Sequence, residues 1–291
     1  MGATGPDTSP PGSAVRWPGV PMTYPLTAII SDLHGNRHAL EACLADAEQR
    51  GVRRFVCLGD MVGYGAEPRA CLDAVMQRCV PSPSGPGEGL EPGLCLKGNH
   101  EEALLFSADD FNPKARAAIE WTREEVSRDA GRADDYWDFI GELDASGTDE
   151  VAMFAHGSPR DPVREYVVPR DIRDREKMNA LFGAMSRSIC FIGHSHVPVV
   201  LFEDGAYFVP KSEDAACGPY DLGDLDGNRA IVNVGSVGQP RDGDSRLSYV
   251  LFDGRNVTFV RAEYDHEGAA AAIRSVEELP EFLADRLATG R

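Results

Sequence analysis

Five of the seven histidines stand in short loops beside aspartate, asparagine and glycine. The loops read Ser31-Asp32-Leu33-His34-Gly35-Asn36, Gly59-Asp60-Met61-Val62-Gly63, Gly98-Asn99-His100-Glu101, Ala155-His156-Gly157-Ser158 and Gly193-His194-Ser195-His196. Carboxylate, amide oxygen and imidazole together suit Mn²⁺, Fe, Zn²⁺, Co²⁺ or Ni²⁺, whereas Mg²⁺ and Ca²⁺ favour all-oxygen sites. Asp32, His34, Asp60, Asn99, His156, His194 and His196 are candidate ligands, more than one ion needs. Two divalent ions sharing one carboxylate account for the number, and paired ions recur in phosphoryl transfer. A structural zinc site is excluded by ligand type, since those sites are typically cysteine-rich and closed. His194 and His196, two residues apart, face the same way if their segment is extended. His38, one helical turn past His34, and His266, beyond the last strand, are not expected to be ligands.

Each loop follows an apolar run that suits a buried strand. The runs are Leu26–Ser31, Arg54–Leu58, Gly93–Lys97, Val151–Ala155 and Ser188–Ile192, with Val199–Phe202, Ala230–Val234, Leu247–Phe252 and Val257–Arg261 further on. Helical periodicity predicts Arg37–Gln49 capped by Asn36, Pro68–Arg78, Asn112–Arg128 with Pro113 in its first turn, Asp171–Met185 and Glu267–Val276. Strand and helix alternate in the first half, as in a layered α/β fold, and the last third is strand-rich, which predicts two sheets. Loops at strand C-terminal ends gather on one edge, where ligands bind. The five loops therefore converge, and their glycines allow the tight turns that aim side chains inward. Residues 1–24, rich in Gly, Pro, Ser and Thr, are expected to be a disordered tail, and 25–291 a single domain. Loops are expected at 81–93 and 211–229, and a helical insertion at 101–150 that either covers the site or only packs.

The formal net charge of −18 disfavours non-specific binding to long nucleic acid or an anionic membrane, both polyanions. It leaves room for a small anionic substrate, because a bound metal dominates its local field. With 42% hydrophobic and 26% charged residues the composition is that of a soluble globular protein. No run of 18 apolar residues offers a membrane span. The seven cysteines include no CxxC and read as buried, reduced thiols, which with the absence of an apolar leader predicts a cytoplasmic protein.

In this order, D-x-H, G-D, G-N-H-E, a single H and G-H-x-H resemble the calcineurin-like metallophosphoesterase superfamily, from about Leu26 to Asp265. The resemblance implies a four-layer α/β/β/α sandwich of two mixed sheets. It implies that Asp32, His34, Asp60 and His196 bind one ion and Asp60, Asn99, His156 and His194 the other, with Asp60 as the bridge. His100 then contacts phosphate and protonates the leaving oxygen. The protein-phosphatase branch carries V-D-R-G after its aspartate; here Met61-Val62-Gly63-Tyr64 follows, and the phosphate-binding arginine is missing. The stretch Asn233-Val234-Gly235-Ser236-Val237-Gly238-Gln239-Pro240-Arg241 is similar to the small prokaryotic phosphodiesterase branch.

The expected activity is hydrolysis of small phosphodiesters or phosphoanhydrides, such as nucleotides, by a hydroxide held between two metal ions, Mn²⁺ foremost. No covalent intermediate is expected. A phosphomonoesterase or protein phosphatase is the alternative, and a non-catalytic scaffold the alternative of another class. The full ligand set argues against the scaffold. Asp32 is expected either to double as a partner that polarises His100 or to serve only as a ligand. Arg241 and Arg37 are candidate phosphate contacts, with surface ion pairing as the competing role. Asn233 and Ser236 are expected to shape turns around the site, and Tyr64 to pack rather than stack on a base.

Overall fold

The computed structural model describes residues 24–79, 90–210, 214–223 and 227–291. In chain order it contains β1 (Thr27–Ile30), α1 (Arg37–Gln49), β2 (Arg54–Cys57), α2 (Pro68–Cys79), β3 (Leu94–Cys95), α3 (Asn99–Leu105), α4 (Pro113–Ser127) and α5 (Ala133–Glu142). There follow β4 (Ser146–Thr148), β5 (Ala152–Ala155), a 3-10 turn (Pro169–Arg173), α6 (Arg175–Gly183), β6 (Ile189–Ile192), β7 (Val199–Phe202) and β8 (Tyr207–Phe208). The chain ends with β9 (Ala216–Asp221), β10 (Ala230–Asn233), β11 (Leu247–Phe252), β12 (Asn256–Ala262), α7 (His266–Arg274), α8 (Phe282–Asp285) and a second 3-10 turn (Arg286–Thr289).

Two six-stranded mixed sheets form, in the orders β3-β2-β1-β11-β12-β9 and β4-β5-β6-β10-β7-β8. The period-2 alternation of each strand builds three apolar layers. Ile29 and Val56 of the first sheet meet Phe154, Phe191 and Val232 of the second in a core between the sheets. The opposite faces carry Ala28, Ile30 and Phe55 under α1 and α2, on which α7 and α4 pack in turn, and Met153, Cys190 and Ile231 against Met178, Leu181 and Phe182 of α6. This is the expected α/β/β/α sandwich. Strands β1, β2 and β3 run parallel, as do β5, β6 and β10. Their carboxyl ends place all five histidine-bearing or aspartate-bearing loops on one edge.

Several expectations need correction. The stretch 211–229 is not only loop: β9 pairs with β12 as an edge strand, with mostly exposed side chains. An edge strand has one paired neighbour and no need for an apolar pattern, so its polar composition hid it. The helix expected at Asp171–Met185 is two elements. Asp171 takes the amide of Val168, and Asp174 adopts an extended ψ and caps α6 through the amide of Lys177. Tyr24 is anchored rather than part of a tail: its ring packs edge-on against Phe252 and its hydroxyl donates to Asp149 at 2.6 Å. The rest of the expected tail, and residues 81–89 of the expected loop, lie outside the described residues. The span 101–150 holds most of α3, all of α4 and α5, and β4. Asn36 and Asn112 cap α1 and α4 as expected.

Candidate metal centre and active site

Among the described residues, six non-glycine residues have left-handed backbone angles: Asp32, His34, Asp60, Tyr64, His194 and His196. Five of them are candidate ligands. Such a conformation costs of order 1–3 kcal/mol unless its surroundings impose it, and it concentrates at functional sites. The turns are therefore made by the ligands themselves, not only by their glycines. His194 and His196 consequently do not face the same way. His196 joins Asp32 and His34, while His194 joins Asp60 and His156.

Backbone hydrogen bonds lock these turns together across both sheets. Asp32 N donates to Gly59 O at 3.0 Å, and His34 N to Asp60 O at 2.9 Å. His194 N donates to Asp32 Oδ2 at 3.0 Å. Asn233 Nδ2 donates to Gly193 O at 2.6 Å and to Ser195 Oγ at 2.9 Å, and Ser236 Oγ donates to Asp32 O at 2.9 Å. Asn233 and Ser236 thus shape the turns, as expected. Gly193 is required: a Cβ there would lie 2.0 Å from Ser31 Oγ and 2.6 Å from Asp32 Oδ2.

Each imidazole is oriented by its second nitrogen. His34 Nδ1 faces Val62 O at 3.2 Å, His196 Nδ1 faces Gln239 O at 2.5 Å, and His194 Nε2 faces Arg164 O at 3.1 Å. A carbonyl only accepts, so these nitrogens donate, and the neutral rings turn lone pairs inward. His34 Nε2 and His196 Nε2 lie 3.1 Å apart, with Asp32 Oδ1 at 3.8 Å and 3.0 Å from them. His156 Nε2 lies 3.0 Å from His194 Nδ1, 3.2 Å from Asn99 Oδ1 and 3.3 Å from Asp60 Oδ2. Asp60 Oδ2 is also 3.8 Å from His34 Nε2, so this one oxygen borders both groups. Buried Asp32 Oδ1 has no hydrogen-bond donor. Lone pairs and carboxylate oxygens crowded this closely, out of water, fit divalent cations in both chemistry and number.

The electrostatics agree. Burial holds His34 and His196 below the ordinary histidine range, aided for His196 by the nearby Arg241 charge. Burial and the His156 charge push His194 down to about 3. Burial opposes ionisation of Asp32 and Asp60, yet His196 for Asp32 and His156 for Asp60 keep both below the usual carboxylate range. His156 moves the other way: burial disfavours its charge, but Asp60 lifts it to about 9. The site draws positive charge to the point where the two groups meet.

His100 sits beside the cluster, with Nε2 3.9 Å from Asp60 Oδ2 and its amide donating to Asp60 Oδ1 at 2.9 Å. Of the two roles expected for Asp32, the geometry does not bring it to His100. Asp32 Oδ2 accepts from His194 N, Asp32 Oδ1 lies against His196 Nε2 at 3.0 Å, and the carboxylate near His100 is Asp60. The ring of His100 is fixed by packing against Tyr64, His34 and Phe111, with centroids 4.6, 4.6 and 5.2 Å away. Its buried Nδ1 has no partner, and a Cβ on Gly63 would come within 2.1 Å of that atom. Tyr64 packs, as expected. Arg241 lies over Tyr64, 5.8 Å from the ring centroid, and donates to Gln239 Oε1 at 2.9 Å. It has no carboxylate partner among the described residues and remains a phosphate contact candidate. Arg37 does not: Glu67 and Glu41 hold it at 2.6 and 3.2 Å. His38 lies between Glu67 and Asp265, and His266 begins α7, so neither is a ligand.

Sequence reasoning missed Glu101. Its buried carboxylate accepts from Asp60 N, Met61 N, Val62 N and Gly98 N at 2.8, 2.8, 3.3 and 2.9 Å. It ties the Asp60 loop to the start of α3, and so fixes Asp60 relative to Asn99 and His100. Burial and the Asp60 charge raise it to about 7 against those amide bonds. The available signal was an acidic residue three places after a glycine at a helix start, the reach-back position of a capping box. Tyr166 was missed as well; its ring stacks on His194 with centroids 3.7 Å apart. Nothing in its local pattern reveals that contact.

A buried cluster of imidazoles and carboxylates, at the joined carboxyl edges of a two-sheet sandwich, is a candidate metal-binding site. The sequence profile of the calcineurin-like phosphoesterase superfamily domain matches residues 26–256. The chain belongs to that superfamily. It is 33% identical over 277 residues to an uncharacterized protein of Methanocaldococcus jannaschii, covering 93% of this chain and 100% of that one. A crystal structure of a metallophosphoesterase from Sphaerobacter thermophilus aligns with a TM-score of 0.72 at 36% identity, over 91% of this chain and 99% of that one. A hypothetical protein from Pyrococcus horikoshii shares the fold, with a TM-score of 0.67 at 18% identity over 91% and 98% of the two chains. Among the described residues no helix is long and apolar enough to cross a membrane.

Proposed function

We propose that the protein hydrolyses small phosphodiesters or phosphoanhydrides with two divalent cations, Mn²⁺ foremost. Asp32, His34, Asp60 and His196 would hold one cation, and Asp60, Asn99, His156 and His194 the other. The observation that carries this reading is Asp60 Oδ2, which borders both nitrogen groups at 3.8 and 3.3 Å. Bound cations would neutralise phosphate oxygens and bring the pKa of water toward neutrality. The chain's own residues do the rest. Asp60 fixes the spacing of the two halves and is itself fixed by Glu101. Arg241 offers a guanidinium fork to a phosphate oxygen from the Tyr64 side. His100, held by ring packing, contacts the phosphate and passes a proton to the leaving oxygen. No covalent step is required. Cys43, Cys71 and Cys190 are buried with thiols pushed up by that burial, which is the opposite of an activated nucleophile.

The test is hydrolysis of a nitrophenyl phosphodiester against the nitrophenyl monoester, with Mn²⁺ added. Faster diester cleavage is expected. Faster monoester cleavage would favour a phosphatase, with Arg241 in the place of the missing arginine. No cleavage of either by protein carrying two ions would refute the enzyme reading.

A further inference from the structure

A cleft of about 300 Å³ opens directly from Asn99 and His194. It is lined by α3 and the segment after it, including Phe106 and Phe111, by Arg164 and Tyr166, and by Tyr64, whose ring packs on His100. Its volume is at the lower end of the range for small-molecule sites, roughly 300–1,000 Å³.

The exposed rings are the informative feature. Phe106 is 74% exposed and Tyr166 50% exposed, two of five large hydrophobic side chains left open among the described residues, and both line this cleft. Tyr166 lies with one face on His194, tilted by 26°. Exposed apolar surface forgoes about 25 cal/mol per Å², so open rings lining one cleft beside a ligand cluster point to something that covers them. The polar groups at the rim are few and partly committed. Arg164 binds Glu102 at 2.6 Å and reaches Asp110 at 3.8 Å, Ser107 Oγ accepts from Asp109 N and Asn112 Oδ1 caps α4, which leaves the Asn112 amide NH₂ and the Ser107 hydroxyl proton along the edge.

We propose that this cleft binds the planar heteroaromatic ring of the substrate, a nucleobase in chemical class, while the attached phosphate lies at the ligand cluster. The inference rests on the phosphoester-hydrolase reading and narrows it to nucleotidyl substrates. A flat ring suits the aromatic walls, and the ring nitrogens and exocyclic groups of a base suit a narrow polar rim. A long acyl chain would gain nothing from that rim and would need more depth. The first part of the 101–150 span is therefore a wall of the substrate cleft, while α4 and α5 pack against α2.

The test is titration calorimetry of Mn²⁺-loaded protein with adenosine 5′-monophosphate and with ribose 5-phosphate, which has the sugar and phosphate without the base. The nucleotide is expected to bind about tenfold or more tightly, the effect of one base–aromatic stack. Phe106→Ala is expected to remove that advantage. Phe106 is exposed and touches no ligand, so the variant should fold; its circular dichroism and bound-metal count check this. Tyr166→Phe, which keeps the ring, is expected to retain the preference. Equal binding of the two probes by the unaltered protein would overturn the proposal, as would a preference that survives Phe106→Ala. The nitrophenyl assay separates the two readings: tight nucleotide binding without diester cleavage keeps the cleft assignment and removes the hydrolase one, and cleavage with equal binding does the reverse.

Discussion

The two ligand groups that share Asp60 are built differently. The group of Asp32, His34 and His196 is closed. Its members are at most 2% exposed, and both its imidazoles are anchored through Nδ1 to backbone carbonyls, Val62 O and Gln239 O. The group of Asn99, His156 and His194 lies against the cleft. Asn99 is only half-buried, and Asn99 and His194 both line the opening. His156 Nδ1 has no partner, while His194 relies on Arg164 O and a stacked tyrosine. Fixed ligand orientation lowers the entropy lost on binding, and exposure admits competing water. The enclosed group should therefore hold its cation more tightly, and the open group should exchange cation and receive substrate.

Asp60→Ala is the change that breaks both groups at once. It should leave no stoichiometric metal and lower kcat by about 10³-fold or more. Metal counting by plasma mass spectrometry is the check, and two ions with near-normal activity would remove Asp60 from the bridge. Chelation of the unaltered protein should then separate the groups. One ion should leave first, activity should fall with it, and Mn²⁺ should restore both. Asn99→Ala should mimic that half-loaded state, whereas His196→Ala should cost the tightly held ion. Simultaneous loss of the two ions in every case would erase the asymmetry.

Smaller effects refine the geometry. Gly63→Ala places a Cβ against His100 and must displace it, so kcat should fall about 10²-fold while both ions stay bound. Replacing Glu101 by Gln puts an amide NH₂ among four donating amides. Metal affinity should weaken by about 10–100-fold, the usual cost of losing a group that orients ligands. A calorimetric metal titration of E101Q measures it, and unchanged affinity would show that the Asp60 loop needs no such tie.

Much of this site was legible along the chain because ligand chemistry is local. Asp-x-His, Gly-Asn-His and His-x-His each put the right atoms just past an apolar run, and the strands did end there. The caps at Asn36 and Asn112 were readable for the same reason, since a side chain reaches its own helix start within three residues. Features set by distant partners were not legible. Strand β9 is defined by its neighbour β12, and its exposed face carries no apolar signature. The partition of His194 and His196 between two groups followed from the family resemblance but not from their spacing, because it depends on left-handed turns that a two-residue spacing does not encode. Glu101 was in view in the motif, but its four donors come from two different loops.

The sequence alone determined which residue types could bind a cation and act on phosphate, because donor atoms and their order along the chain are covalent facts. The tertiary structure decided how they combine. It made Asp60 rather than Asp32 the carboxylate beside His100, and oriented each imidazole through a carbonyl from another segment. It also brought Phe106 and Tyr166, sixty residues apart in the chain, to one cleft. Those relations arise only when two sheets pack face to face, since that packing brings the carboxyl ends of their parallel strands within bonding distance.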